Sequence, residues 1–170
     1  MISAAYKEEQ RKLHENPNYG VASVMYAPLV TNLLNKSGLT EMLDYGCGKG
    51  RLAQSIEPDH EVQVNLYDPG REGLDDTPDS APFVACIDVL EHIEPEYLDD
   101  VLDDLQRVTE ILGFFTVHTG PAVKVLSDGR NAHLIQEPPN WWLPKFMERF
   151  ELLQFNTVQN GFYVVVKAWR

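Results

Sequence analysis

The chain is organised around one stretch, Leu43-Asp44-Tyr45-Gly46-Cys47-Gly48-Lys49-Gly50-Arg51-Leu52-Ala53. An apolar strand ends beside an acid, turns through glycines at alternate positions and enters a helix. Each glycine removes a Cβ where backbone must turn sharply or touch a ligand. The helix that follows presents unpaired N–H groups and a partial positive charge at its first turn. Such a turn suits a ligand carrying a carboxylate and a ribose. A dinucleotide turn needs Gly-x-Gly-x-x-Gly, whereas here the glycines stand at 46, 48 and 50 and position 51 is arginine. Asp44 would lie close to a pyrophosphate, and it suits a cationic ligand better.

The flanking segments alternate strand and helix. A first strand covers 41–45, and a helix covers 50–57 and stops near Glu57-Pro58. A second strand, 61–67, ends at Asp68-Pro69-Gly70. An acid at that strand end, about 20 residues after the glycine turn, is placed to accept hydrogen bonds from two ribose hydroxyls. The same acid before Pro-Gly also fits plain turn chemistry. Residues 69–82 hold two glycines and three prolines and read as loop. A continuous apolar strand, 83–88, suits a sheet covered on both faces, and it runs into Asp88-Val89-Leu90-Glu91-His92-Ile93.

The glycine stretch resembles the first motif of the class I S-adenosylmethionine (SAM) dependent methyltransferases, Leu-Asp-x-Gly-Cys-Gly-x-Gly. The second stretch resembles the family's Asp-Val-Leu-Glu-His, which closes its fourth strand and borders the methyl-transfer cavity. Two motifs in this order are more specific than either alone, and the resemblance covers 41–170. It implies an α/β, Rossmann-like sheet ending in an antiparallel hairpin. It implies SAM as cofactor, with S-adenosylhomocysteine as product, and a small-molecule acceptor methylated at oxygen or nitrogen. Cofactor contacts are implied for Asp44, Tyr45, Gly46, Cys47, Gly48, Gly50, Asp68, Asp88, Val89 and Leu90. The family usually places a helix, a strand and another helix where this chain has only 69–82, so the third strand is shortened or missing. The family's acid for the adenine amino group is left among Asp75, Asp76 and Asp79. The segment from Asp128-Gly129-Arg130-Asn131-Ala132-His133 to Trp141-Trp142 is also similar to short methyltransferase-like proteins associated with bacteriophages.

Ahead of the first strand, 3–15 reads as a helix stopped by Asn16-Pro17-Asn18. A second helix covers 21–36, with Val21, Val24, Met25, Pro28, Leu29 and Leu33 at helical spacing and Gly38 as its cap. In the resembling family such helices often cover cofactor and substrate. The expectation is one domain, 1–170, with a helical cover over 1–38 and an α/β core over 41–170. After the second motif a helix begins at Glu94-Pro95-Glu96. It buries Leu98, Val101, Leu102, Leu105 and Val108 and leaves Asp99, Asp100, Asp103 and Asp104 wet. Then come a strand at 113–118, a helix at 141–150 with Asn140 as N-cap and Pro144 in its first turn, and strands at 151–158 and 162–169. Asn160-Gly161 between those last two is a strong hairpin signal.

A formal charge of −12 and the lack of a Lys/Arg cluster argue against a nucleic-acid partner. The apolar runs fall far below the ~20 residues that span a bilayer, and 1–16 contains no signal-peptide core. Two cysteines, Cys47 and Cys86, fit a reducing cytoplasm. An acceptor hydroxyl benefits from a base, and histidine is the usual one. His118 at a strand end and His133 in a polar loop are the candidates, and His92 lies in the second motif. Asn131, Trp141 and Trp142 are placed to supply an amide and aromatic walls. No i,i+4 histidine pair or dense Cys/His spacing marks a metal site. Two rival functions remain: a non-catalytic module binding SAM or its product, and a nucleotide-binding oxidoreductase, against which the glycine spacing and terminal hairpin speak.

Overall fold

The computed structural model describes residues 3–14 and 22–169. Its strands are β1 (Glu41–Tyr45), β2 (Gln63–Tyr67), β3 (Ala81–Ile87), β4 (Thr109–His118), β5 (Phe150–Val158) and β6 (Gly161–Ala168). They form one sheet in the order β2-β1-β3-β4-β6-β5. The first four run parallel, and β6 and β5 close the sheet as an antiparallel hairpin. Around them lie α1 (Ala4–His14), α2 (Ala22–Ser37), α3 (Arg51–Ser55), α4 (Leu98–Val108) and α5 (Pro139–Met147).

The apolar runs of the central strands follow from cover on both faces. Val84 and Cys86 of β3 pack with α4 and α5, together with Phe115, Val164, Trp142 and Phe146. Phe83, Ala85 and Ile87, alternating with them, pack with Leu34 of α2 and Leu52 of α3. On α4 all five expected side chains are buried, each worth ~1.5–3 kcal/mol when fully removed from water. Among the described residues no strand flanks β2 on its outer side. Residues 68–80 make turns instead, tied by Asp68 N–H to Leu74 O and Leu74 N–H to Arg71 O. No described helix is long and apolar enough to cross a membrane.

Several boundaries move for physical reasons. Gly50 stays outside α3 as a left-handed cap, φ 69°. That helix ends at Ser55, where Ile56 turns to extended backbone, ψ 142°, while its N–H still bonds Leu52 O. Two short 3₁₀ turns, Leu90–His92 and Pro95–Tyr97, precede α4. Asn140 is not the N-cap of α5: Pro138 is, with Pro139 in the first position that proline favours. Pro144 consequently lies inside the helix and not in its first turn. The α2 face also differs, since Ala27, Val30 and Leu34 are buried while Val24 and Met25 are exposed. That helix is apolar on several sides, so packing, and not periodicity, selects the face. The Asn16-Pro17-Asn18 stop and Val21 lie outside the described residues.

Candidate cofactor and active site

The carboxyl ends of β1, β2, β3 and β4 open into one cavity of about 350 Å³, the place where open α/β sheets hold ligands. Its floor is the glycine turn. Gly46 and Cys47 N–H both donate to Tyr67 O, at 2.8 and 3.0 Å. Asp68 then clamps the turn: Oδ2 accepts Gly48 N–H and Oδ1 accepts Gly70 N–H, each at 2.8 Å. The Arg71 guanidinium reaches back to Gly48 O. Gly46 sits at φ 78°, and a Cβ there would stand 2.4 Å from Val89 Cγ2. No other residue type fits without displacing Val89.

Asp44 is 4% exposed and lines the cavity. Its Oδ2 has no hydrogen-bond partner. Burial, and then the charge of Asp68, push its carboxyl up to about 7. Burial beside a second acid makes the charged form of Asp44 costly unless a positive charge meets it. Cys47, pushed up to about 12 by burial and then by Asp44 and Asp68, is a packing thiol and not a nucleophile.

The opposite wall carries imidazoles. Asp88 holds a left-handed backbone, φ 52°. Thr116 fixes it by accepting Asp88 N–H at 2.9 Å and donating its hydroxyl to Asp88 Oδ1 at 2.7 Å. His118 ends β4, and its N–H donates to Glu91 Oε1 at 3.0 Å. His133 Nδ1 bonds Gly120 O at 2.7 Å and His92 Nδ1 bonds Ala132 O at 2.8 Å. The rings of His92 and His118 each lie 4.7 Å from that of His133, centroid to centroid. Burial lowers the His133 pKa. Burial, and then Asp88, hold the Glu91 carboxyl well above the usual range.

No family model matches the sequence, and no curated protein matches it. Solved structures match over nearly all of it. The 1,6-didemethyltoxoflavin-N1-methyltransferase of Burkholderia thailandensis, with bound 1,6-didemethyltoxoflavin and S-adenosylhomocysteine, superposes with a TM-score of 0.68 at 14% identity. That match covers 100% of this chain and 92% of the other. Magnesium protoporphyrin IX methyltransferase of Synechocystis, with bound S-adenosylhomocysteine, gives 0.58 at 15% identity, over 98% and 95% of the two chains. The 16S rRNA methylase ArmA gives 0.56 at 18%, over 96% and 91%. The fold is that of the SAM-dependent methyltransferases.

On this methyltransferase fold the implied cofactor residues divide. Asp44, Gly46, Cys47, Gly48, Asp68, Asp88 and Val89 line the cavity. Tyr45, Gly50 and Leu90 do not: the Tyr45 hydroxyl donates to Asp104 at 2.9 Å, Gly50 caps α3, and Leu90 is core. None of Asp75, Asp76 and Asp79 lines it, and Asp75 instead pairs with Lys7 at 2.6 Å. The unpartnered Asp44 oxygen fits a ligand bearing an ammonium and a sulfonium, so the residues present suit SAM. His118 and His133 are brought together, and His92 joins them.

The expected amide and aromatic walls are corrected. Trp142 is fully buried against the sheet with Nε1–H on Glu137 O at 3.1 Å, and Trp141 stacks under Lys145 at the surface. Asn131 locks the loop from behind, accepting Ala122 N–H and His133 N–H and donating to Ala122 O, each at 2.9 Å. Sequence reasoning missed Tyr6 and Gln10 of α1 and Lys124, which complete the lining. For Tyr6 and Gln10 the only advance signal was the family habit of covering helices, and Lys124, in the loop after β4, had none.

Proposed function

We propose that the protein transfers a methyl group from SAM to an oxygen or nitrogen of a small-molecule acceptor. The observation that carries this reading is the unpartnered, buried Asp44 oxygen in a cavity at the strand ends. SAM supplies a methyl on a sulfonium, displaced in line by the acceptor. The chain's own work is alignment, which can supply ~7–11 kcal/mol. Asp44 takes the ligand's positive charge. Asp68, at the end of β2 beside the glycine turn, takes ribose hydroxyls while clamping the turn. The glycine turn gives the ligand close backbone approach, and Asp88 and Val89 bound it on the β3 side. α1 and the start of α2 contribute Tyr6, Gln10 and Ser23 to the lining and act as the cover.

His118 accepts the acceptor's proton, a contribution of about 10²–10⁴-fold; it is set on a strand end, which positions a side chain more firmly than a loop does. His133, the other candidate, binds the same Gly120 carbonyl that His118 approaches and holds the loop against it. The strong negative charge supports a small acceptor over a nucleic acid, and the two free, buried thiols support a reducing cytoplasm. Calorimetry with SAM, S-adenosylhomocysteine and NAD tests the site. Heat from the first two and none from NAD is expected. The reverse would end the methyltransferase reading in favour of an oxidoreductase. Assaying S-adenosylhomocysteine release across small hydroxyl and amine acceptors then separates an enzyme from a binding module.

A further inference from the structure

We propose that Glu91, His92 and His133 form a site for a divalent first-row transition-metal ion. One carboxylate oxygen of Glu91 and one ring nitrogen from each histidine lie within 4.8 Å of one another. The ligands come from two distant segments that are lashed side by side, with Ile135 N–H on Glu91 O at 3.0 Å and His92 Nδ1 on Ala132 O.

Three features go beyond mere clustering. A carbonyl oxygen can only accept, so His92 Nδ1, on Ala132 O, carries its proton. His133 Nδ1, on Gly120 O, does the same. In the neutral His133 ring the lone pair is therefore on Nε2, and a backbone carbonyl on the far N–H, as both histidines have, is how metal-binding histidines are oriented. Glu91 is 0% exposed, and its Oε2 has no hydrogen-bond partner. A buried carboxylate with an idle oxygen is costly unless a positive charge meets it. Finally, two imidazoles and a carboxylate are the donor set of Zn²⁺, Fe²⁺ or Co²⁺, and not of Mg²⁺ or Ca²⁺, which take oxygen.

Bonds of ~2.0–2.2 Å allow two ligands on one ion to stand at most about 4.4 Å apart, so binding draws the three side chains slightly inward. His92 and His133 line the cavity while Glu91 lies buried behind them, so the ion is reachable from the ligand side. There it would act as a Lewis acid toward an oxygen donor. The site needs neither SAM nor an acceptor to exist.

The test uses the chelator-treated full chain and Co²⁺ alone. Calorimetry should show one ion per chain. Proton spectra of the loaded wild type should show strongly shifted, exchangeable ring N–H signals from two histidines, the protons held by Ala132 and Gly120. Glu91→Gln and His133→Ala should each weaken Co²⁺ by more than the ~10–100-fold lost when only an outer partner is removed, while His60→Ala, remote from the site, leaves it unchanged. Absence of stoichiometric binding, or affinity unchanged in both site variants, overturns the proposal. If the variants fail to fold, the wild-type spectrum decides alone, and a loaded protein without shifted histidine signals overturns it. Because no SAM enters, failure here is distinct from failure of the methyl-transfer reading.

Discussion

Asp44 and Asp68 face one cavity from the ends of adjacent strands, and their partners differ: Asp68 accepts Gly48 N–H and Gly70 N–H, whereas Asp44 Oδ2 accepts nothing. One acid builds the turn and the other waits for charge. The asymmetry governs how the protein responds to pH.

With its folded value raised to about 7 by burial and Asp68, Asp44 contributes stability that is fully present below its unfolded value. That contribution is lost as pH rises through 7. The span between the two values corresponds to a loss on the order of 4 kcal/mol. Urea denaturation of the ligand-free protein at pH 5 and pH 8 should therefore show Asp44→Asn gaining on the wild type at the higher pH. In the wild type a cationic ligand should bind more tightly above pH 7, and in Asp44→Asn its affinity should be nearly flat with pH. Parallel pH profiles for the two proteins would remove Asp44 as the cation partner.

Asp68→Ala should damage fold and ligand site together. Its two backbone bonds are of the charged kind, worth about 1.5–3 kcal/mol each, so ligand-free stability in urea should fall by at least one such bond. Affinity for S-adenosylhomocysteine should drop by a similar ~1.5–3 kcal/mol. Stability lost with affinity intact would leave Asp68 a turn clamp with no part in holding ribose.

Gly46→Ala tests the turn itself. The added Cβ meets Val89 Cγ2 at 2.4 Å and φ is 78°, so overpacking of about 1–3 kcal/mol adds to a left-handed penalty of roughly 1–2 kcal/mol. In Gly46→Ala/Val89→Ala the overpacking should be relieved and the backbone penalty should remain. A double-mutant cycle in urea reads the difference, and additive losses would show that the two residues are not in contact.

The parts legible in the sequence were those fixed by local rules. β1 falls on the expected Glu41–Tyr45, the five apolar residues of α4 all go inside, and the expected hairpin forms, turning through Gln159-Asn160 with Asn160 left-handed and Gly161 already paired with Val158. The shortened or missing third strand was also legible, and among the described residues none flanks β2 on its outer side, because a stretch with two glycines and three prolines has too little apolar content to enter a sheet. What escaped was set by tertiary packing. Trp142 and Trp141 sit on one short helix, and which of them reaches the core depends on how that helix rolls against Phe115 and Phe162. The lining from α1 depends on Tyr6 docking with Leu126 and Ala132, a contact no spacing announces. The joining of His92 to His133 likewise depends on one loop lying along another.

The last prediction separates chemistry from loop pinning. His118→Ala removes an imidazole that lines the cavity but carries little of the fold, since its strand position is held by backbone pairing to Gly161 and by its own N–H on Glu91. Affinity for SAM should therefore stay nearly intact while turnover falls by about 10²–10⁴. Asn131→Ala is the matching control, because that side chain makes three hydrogen bonds within the loop and does not line the cavity. It should lower stability by about 0.5–1.5 kcal/mol per bond and lower affinity with it. A His118→Ala variant that loses stability and SAM affinity as Asn131→Ala does, with turnover per bound SAM unchanged, would make the imidazole a loop pin and send the search for the base elsewhere in the cavity.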